Sequence, residues 1–326
     1  MTLAVDVTPQ PWTGRDDGPG ADLVRWHHAV TGAADGRGGQ AGAGPWHAAF
    51  VGFRSDAGVR RNQGRPGAAD GPGALRRALA PMALRHPLHA VDAGDVEVRG
   101  DDLESGHRRL GEAVTSLLDR GGRPVVVLGG GHEVAYGSYL GLAGSRAVRE
   151  GARVGVFNLD AHFDLRDDAR PSSGTPFLQM ARAEQAHGRR LDYRVLGVSR
   201  PANTRRLFDT ADRLGVRHLL DTECGVLDRD RVDAFVDGFL ADCDLVHLSI
   251  DLDVLPAAVA PGVSAPAAYG VPMEIVERVC AAVAASGRLA VCDVAELNPA
   301  LDVDDRTARA GARLVHRILD AVPPVA

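Results

Sequence analysis

Asp160, His162 and Asp164 stand at alternate positions directly after an apolar run over residues 153–159. The run reads as a buried parallel strand. In an extended chain, residues i, i+2 and i+4 share one face. Two carboxylates and an imidazole converging where a strand ends suit a divalent cation of the Mn, Fe or Zn type. Asp251 and Asp253 repeat the pattern after the apolar residues 245–250. Two carboxylates so close repel unless a cation lies between them. His132 follows the apolar residues 124–128 across a Gly129-Gly130-Gly131 turn. That turn lacks the spacing and the lysine of a phosphate loop, so the glycines read as a tight bend that brings the imidazole into a cleft. Glu296 follows the strand-like residues 289–295. Singly, each has an ordinary reading as a solvated strand end or a structural histidine. Four strands ending in ligand-type residues point instead to one site at the carboxyl edge of a sheet.

Taken together, His132, Asp160, His162, Asp164, Asp251 and Asp253 suit two divalent cations with bridging carboxylates. Oxygen-dominated ligation favours Mn²⁺, with Fe²⁺ or Co²⁺ as alternatives, over a thiolate zinc site. A pair of ions ~3.5–4 Å apart can hold a bridging hydroxide and bring the pKa of water from 15.7 to about 7. Such a site needs no Ser or Cys nucleophile.

The elements that must position these residues follow a regular rhythm. Strands are expected over 47–53, 88–92, 95–98, 124–128, 153–159, 193–198, 216–219, 245–251 and 289–295. Helices are expected over 72–79, 103–119, 134–148, 176–187, 202–214, 228–241, 272–285 and 304–322, with a short one over 22–30. Strands alternating with helices of this length predict a three-layer α/β/α sandwich around a central, mostly parallel sheet. Residues 1–46, rich in Gly, Pro, Ala and Asp, read as a flexible N-terminal arm, and 47–326 as a single catalytic domain. His27 and His28 are adjacent and cannot share a helix face, so they are not expected to bind metal.

The 326 residues carry a net charge of −6, with 45% hydrophobic and 25% charged residues, and every basic side chain is arginine. The acidic balance argues against broad nucleic-acid binding. No stretch approaches a membrane span, and the N-terminus lacks a signal pattern. Cys224, Cys243, Cys280 and Cys292 form no Cys-x-x-Cys pair, and the segments around three of them are apolar. A cytoplasmic protein without structural disulfides is expected.

Gly-Gly-Gly-His132, Asp160-Ala-His162-Phe-Asp164 and Ser249-Ile-Asp251-Leu-Asp253 resemble, in order, the metal motifs of the ureohydrolase family of arginases, agmatinases and formimidoylglutamases. The likeness runs from about Val51 to Leu319, and Asp293-Val-Ala-Glu296-Leu-Asn-Pro299 looks like a further signature. The resemblance implies an arginase-like sandwich, two Mn²⁺ per subunit and hydrolysis of a C–N bond at an amidine-type carbon. By it, one ion takes His132, Asp160, Asp164 and Asp251. The other takes Asp160, His162, Asp251 and Asp253, with Asp160 and Asp251 bridging. Asp253 then serves as the proton carrier and Glu296 as the partner of a cationic amidine. The resemblance also implies a homo-oligomer, a trimer or hexamer.

Departures from the arginase pattern narrow the substrate. Arginases and agmatinases continue the third motif with Gly-Leu-Asp-Pro, where this chain has Val254-Leu-Pro256-Ala. The loop reading Ser-Gly-Asn-x-His in arginases is Ser173-Gly174-Thr175-Pro-Phe177 here, which removes the proton-shuttle histidine. Residues 173–179, 202–204 and 251–266 look like the formimidoylglutamases of histidine breakdown. That likeness implies cleavage of N-formimidoyl-L-glutamate to L-glutamate and formamide. Such a substrate has two carboxylates, which arginine matches with its paired donors. Arg166, just past the metal triplet, is the first candidate, and Ser173, Arg200 and Asn203 are others. The competing readings are a urea-releasing hydrolase of agmatine or a guanidino acid, and a metal-binding relative without activity.

Overall fold

Val125–Leu128 is apolar at every position because both of its faces are covered. Val125 and Val127 point into one core cluster, Val126 and Leu128 into another on the opposite face. The same two-sided burial repeats across the centre of the sheet. The computed structural model describes residues 5–33, 46–86, 88–121 and 123–323. Its strands are β1 (Val30–Gly32), β2 (Ala48–Arg54), β3 (Ala90–Glu97), β4 (Val125–Leu128), β5 (Val154–Leu159), β6 (Asp192–Val198), β7 (Arg217–Leu220), β8 (Leu245–Asp251) and β9 (Leu289–Ala295). They form one nine-stranded sheet in the order β1-β3-β2-β4-β9-β8-β5-β6-β7. Every paired neighbour runs parallel.

The helices are α1 (Trp26–Ala29), α2 (Ala57–Arg61), α3 (Gly71–Leu79), α4 (Leu103–Asp119), α5 (Val134–Ala143), α6 (Arg146–Arg149), α7 (Pro176–Ala186), α8 (Arg205–Leu214), α9 (Arg229–Leu240), α10 (Met273–Ala285) and α11 (Arg306–Ala321). Apolar side chains of α3, α9, α10 and α11 share one core with Phe50, Leu128, Phe157 and Ile250. Those of α4, α5, α7 and α8 cover the other face. The molecule is therefore the three-layer α/β/α sandwich read from the sequence, with a sheet that is parallel throughout rather than mostly so.

Local differences have local causes. The two short strands expected around residues 88–98 are one strand, β3. Gly94 takes φ +94° within it, and the register against β2 slips between Phe50 and Gly52. The long helix expected over 134–148 is broken into α5 and α6 around Gly144 and Ser145. The short helix expected over 22–30 is a 3₁₀ turn at Ala21–Leu23, then α1, then β1.

Of the stretch expected to be a flexible arm, residues 1–4 and 34–45 lie outside the described residues, and the rest is anchored to the domain at several points. Trp26 is fully buried, meets Phe50 edge-on and donates from Nε1 to His316 Nδ1. Trp12 donates to Asp92 Oδ2 at 2.8 Å, and β1 pairs with β3. Indole burial is large enough to outweigh the poor core-forming composition around these two residues. Among the described residues, no helix is long and apolar enough to cross a membrane.

Candidate metal centre

β4, β9, β8 and β5 lie side by side, so whatever follows their carboxyl ends converges in space. After β4 the chain bends so closely over residue 55 that a Cβ on Gly130 would lie 1.9 Å from the Ser55 carbonyl oxygen, and only glycine fits. His132 emerges from that bend, buried. After β5, Asp160, His162 and Asp164 converge, though not by strand alternation. β5 ends at Leu159, and the loop that follows turns through Asp164 at φ +48°. Likewise Asp251 is the last residue of β8, while Asp253 sits in a 3₁₀ turn. Glu296 leaves β9 at φ +67°. Five described non-glycine residues have positive φ, and Asp164 and Glu296 are two of them, which locates backbone strain at the site.

All six expected ligands are brought together. The donor atoms of His132, Asp160, Asp164 and Asp251 lie within 4.8 Å of one another, as do those of Asp160, His162 and Asp253. His132 Nδ1 is 3.1, 2.9 and 3.1 Å from oxygens of Asp160, Asp164 and Asp251. His162 Nδ1 is 3.0 Å from Asp253 Oδ2. Donors about 3 Å apart form the edges of an octahedron with bonds of about 2.1–2.2 Å. Asp160 belongs to both sets. Asp251 enters only the first, because its Oδ1 accepts the Asp253 N–H at 2.8 Å.

The chemistry of this donor set fits a cation. Burial and the charge of Asp160 push Asp164 up to about 6. Burial, then Asp253 and Asp160, push Asp251 well above the carboxylate range. Burial opposes ionisation of Asp160, but the imidazoles of His132 and His162 outweigh it and hold that carboxyl low. His132 Nδ1 is buried without a hydrogen-bond partner although carboxylate oxygens surround it. Its tautomer is set from behind. His132 Nε2 meets Ser249 Oγ at 2.9 Å, and the Ser249 hydroxyl donates to Asp293. Ser249 therefore accepts from Nε2–H, which aims Nδ1 at the acids. Burial opposes protonation there, but Asp160, Asp164 and Asp251 outweigh it and raise the imidazole well above its ordinary value, so Nδ1 carries a proton in a place that suits a cation. Asp293 also takes a contact from His247 Nε2 and is held below the usual carboxylate range against the opposing effect of burial. A ligand imidazole backed by a carboxylate in this way is a metal-site arrangement.

The expected substrate residues are placed less uniformly. Glu296 Oε1 accepts the His132 backbone N–H at 2.8 Å, and its Oε2 takes no hydrogen bond from the described residues. Burial, then the nearby Glu133, raise its pKa to about 8. Arg166 is exposed in an open cavity of about 570 Å³, together with Asn62, Gln63 and Arg170. Ser173 is buried beside it and accepts from Asn62 Nδ2 at 3.0 Å. Arg200 is exposed on a 3₁₀ turn. Asn203 faces inward. Its Nδ2 donates to the Ala161 and Ser199 carbonyls, both at 2.9 Å, and its Oδ1 accepts the Phe163 N–H at 3.1 Å. Its amide thus holds the metal-ligand loop. Sequence reasoning missed the roles of His247, Ser249 and Asp293. Their signal was polar side chains at alternate positions inside otherwise apolar strands.

Fold and site define a hydrolase-type α/β/α protein with clustered metal ligands at the carboxyl edge of a parallel sheet. The Arginase family model matches residues 47–320, and the chain belongs to that family. It is 59% identical over 320 residues to a formimidoylglutamase of Rhodococcus jostii, covering 98% of each chain. It is 60% identical over 320 residues to a formimidoylglutamase of Nocardia farcinica, covering 98% of this chain and 99% of that one. The crystal structure of Trypanosoma cruzi formiminoglutamase with Mn²⁺ superposes with a TM-score of 0.74 at 27% identity, covering 85% of this chain and 95% of that one.

Proposed function

We propose that the protein hydrolyses N-formimidoyl-L-glutamate to L-glutamate and formamide, with two Mn²⁺ per subunit, as a step of histidine breakdown. The observation that carries this reading is the set of six ligands gathered at the strand ends, with the buried Glu296 bonded to the His132 N–H beside them. The full-length relatives at 59% and 60% identity support the choice of substrate. Asp160, His132, Asp164 and Asp251 would hold one ion, and Asp160, His162 and Asp253 the other. Bound divalent cations supply water that is ionised near neutral pH and offset negative charge as it develops.

The chain's own groups do the rest. Glu296 presents its free oxygen to the amidinium, and the cation restores the ionised carboxyl that burial disfavours. Water oxygen bonds to the formimidoyl carbon, and the bond from that carbon to the glutamate nitrogen breaks. Asp253 carries a proton to the departing nitrogen, so the carbon leaves as formamide. Arg166 pairs with substrate carboxylate at the mouth, with Ser173 and Arg200 as further contacts. A cationic substrate such as agmatine would meet Arg166 and Arg170 there, which disfavours the urea-releasing reading. The proposed location is the cytoplasm, consistent with four free and buried cysteines. The proposed assembly is a trimer or hexamer.

The deciding experiment measures formamide from N-formimidoyl-L-glutamate with manganese-loaded protein, and urea from agmatine and L-arginine in parallel. Turnover of the first substrate alone is expected. Urea release would overturn the substrate, and manganese binding without any turnover would overturn the enzyme.

A further inference from the structure

A fully buried carboxylate that the chemistry above does not use stands next to His132. Glu133 Oε1 accepts from Ser55 Oγ at 2.8 Å and from the Gly58 N–H at 2.9 Å. Its Oε2 has no hydrogen-bond partner. That oxygen is wedged between the turn after β4 and the first turn of α2, far apart in sequence. A Cβ on Gly131 would lie 2.2 Å from it, and a Cβ on Gly58 2.4 Å. Both turns have given up a side chain to admit one carboxylate. The Gly131 N–H also donates to the Ser55 carbonyl at 3.0 Å, which laces the turns together.

What Glu133 holds is the start of α2, and α2 leads to the mouth. Arg61, at its end, donates to the Pro171 carbonyl at 2.9 Å and pairs with Asp101 and Glu104. Asn62 donates to Ser173 Oγ at 3.0 Å. The Arg166 N–H bonds to the Gly174 carbonyl at 2.9 Å, which closes the loop carrying Arg166 and Ser173. A continuous path of hydrogen bonds thus runs from behind the metal floor, through α2, to the loop that faces the substrate's carboxylate end.

We propose that Glu133 is a positioning residue for substrate recognition, fixing through α2, Arg61 and Asn62 where residues 166–174 present their side chains. The inference rests on the dicarboxylate substrate argued above. Glu133 touches neither the reacting atoms nor the ligand atoms of the ions, so its loss should appear in substrate binding.

The test uses full-length, manganese-loaded Glu133→Ala and Glu133→Gln, with manganese content, kcat and KM read on N-formimidoyl-L-glutamate. Glu133→Ala is expected to raise KM at least about tenfold, keep kcat within about threefold, and retain the wild-type manganese content. Glu133→Gln keeps the accepting Oε1 and should restore KM to within about threefold of wild type. Loss of manganese, or a fall in kcat with KM unchanged, would assign Glu133 to His132 and overturn the proposal. If Glu133→Ala does not accumulate, Ser55→Ala removes one donor and keeps the carboxylate. It should raise KM by about threefold or more, and an unchanged KM would overturn the proposal. Wild-type protein that turns over no N-formimidoyl-L-glutamate defeats the substrate reading, and this inference with it. Wild-type turnover with the wrong mutant signature defeats this inference alone.

Discussion

His132, Asp160 and Asp251, on the floor of the cleft, are buried and lie within four residues of a strand's carboxyl end. Arg166 and Asn62, at the mouth, sit on loops whose supports come from distant parts of the chain. The floor is held by the sheet and by crowded, opposed charges that a cation relieves. The mouth is held by bonds between remote segments, such as Arg61 to Pro171 and Asn62 to Ser173. On the proposed reading, hydrolytic chemistry is tied to the edge of the sheet, and substrate choice to loops that can change without disturbing it.

The sharpest way to break this contrast is to damage the floor alone. Asp160 serves both ligand sets, so Asp160→Asn should lower kcat at least about 10³-fold and reduce manganese content, read by turnover and metal analysis. Wild-type kcat with normal metal content would end the claim that the floor carries the chemistry. One layer behind it, Asp293→Asn should weaken manganese binding or activity about 10–100-fold, because Ser249 loses the carboxylate that orients it toward His132. A manganese titration followed by electron paramagnetic resonance checks this.

A smaller effect separates floor from mouth by pH. The folded protein without metal holds Asp164 at about 6, above its ordinary value of 3.8. An acid whose folded pKa is raised favours folding at low pH, and that contribution disappears as pH rises through the folded value. The resulting penalty on folding is felt fully above about pH 6. Manganese relieves it, so the rise in Tm on adding Mn²⁺ should be largest at about pH 7–8 and shrink toward about pH 5. A manganese effect independent of pH would show that crowding of the floor acids is not what the ion relieves.

Much of the floor was legible in the sequence because each ligand follows directly on an apolar strand. The carboxyl ends of parallel strands share one edge of the sheet, so ligands placed there meet once their strands are neighbours. Strand alternation accounts for only part of how these side chains come together. Asp160, His162 and Asp164 converge because a loop turns through a strained Asp164, which no periodicity announces. The N-terminal stretch was misleading for a related reason. Its composition is poor in core formers, yet Trp12 and Trp26 anchor it through single large side chains. Asn203 shows the limit most clearly. Its type and its place after β6 fit a substrate contact equally well, and only its two bonds to the ligand-loop backbone, at Ala161 and Phe163, tie it to the ligands.

The sequence by itself determined the α/β class, the six side chains that the fold gathers and a donor set suited to hard divalent cations. These depend on residue type, on spacing along one strand and on the ends of parallel strands. The tertiary structure decided what depends on distance between segments remote in the chain. It decided that β4, β9, β8 and β5 are neighbours and that Ser249 and Asp293 fix the His132 tautomer. It also decided that Glu133 reaches across to residues 55–58 to support a mouth built elsewhere. A side chain's type limits which bonds it can make, but its partners are chosen by packing, and packing belongs to the whole fold.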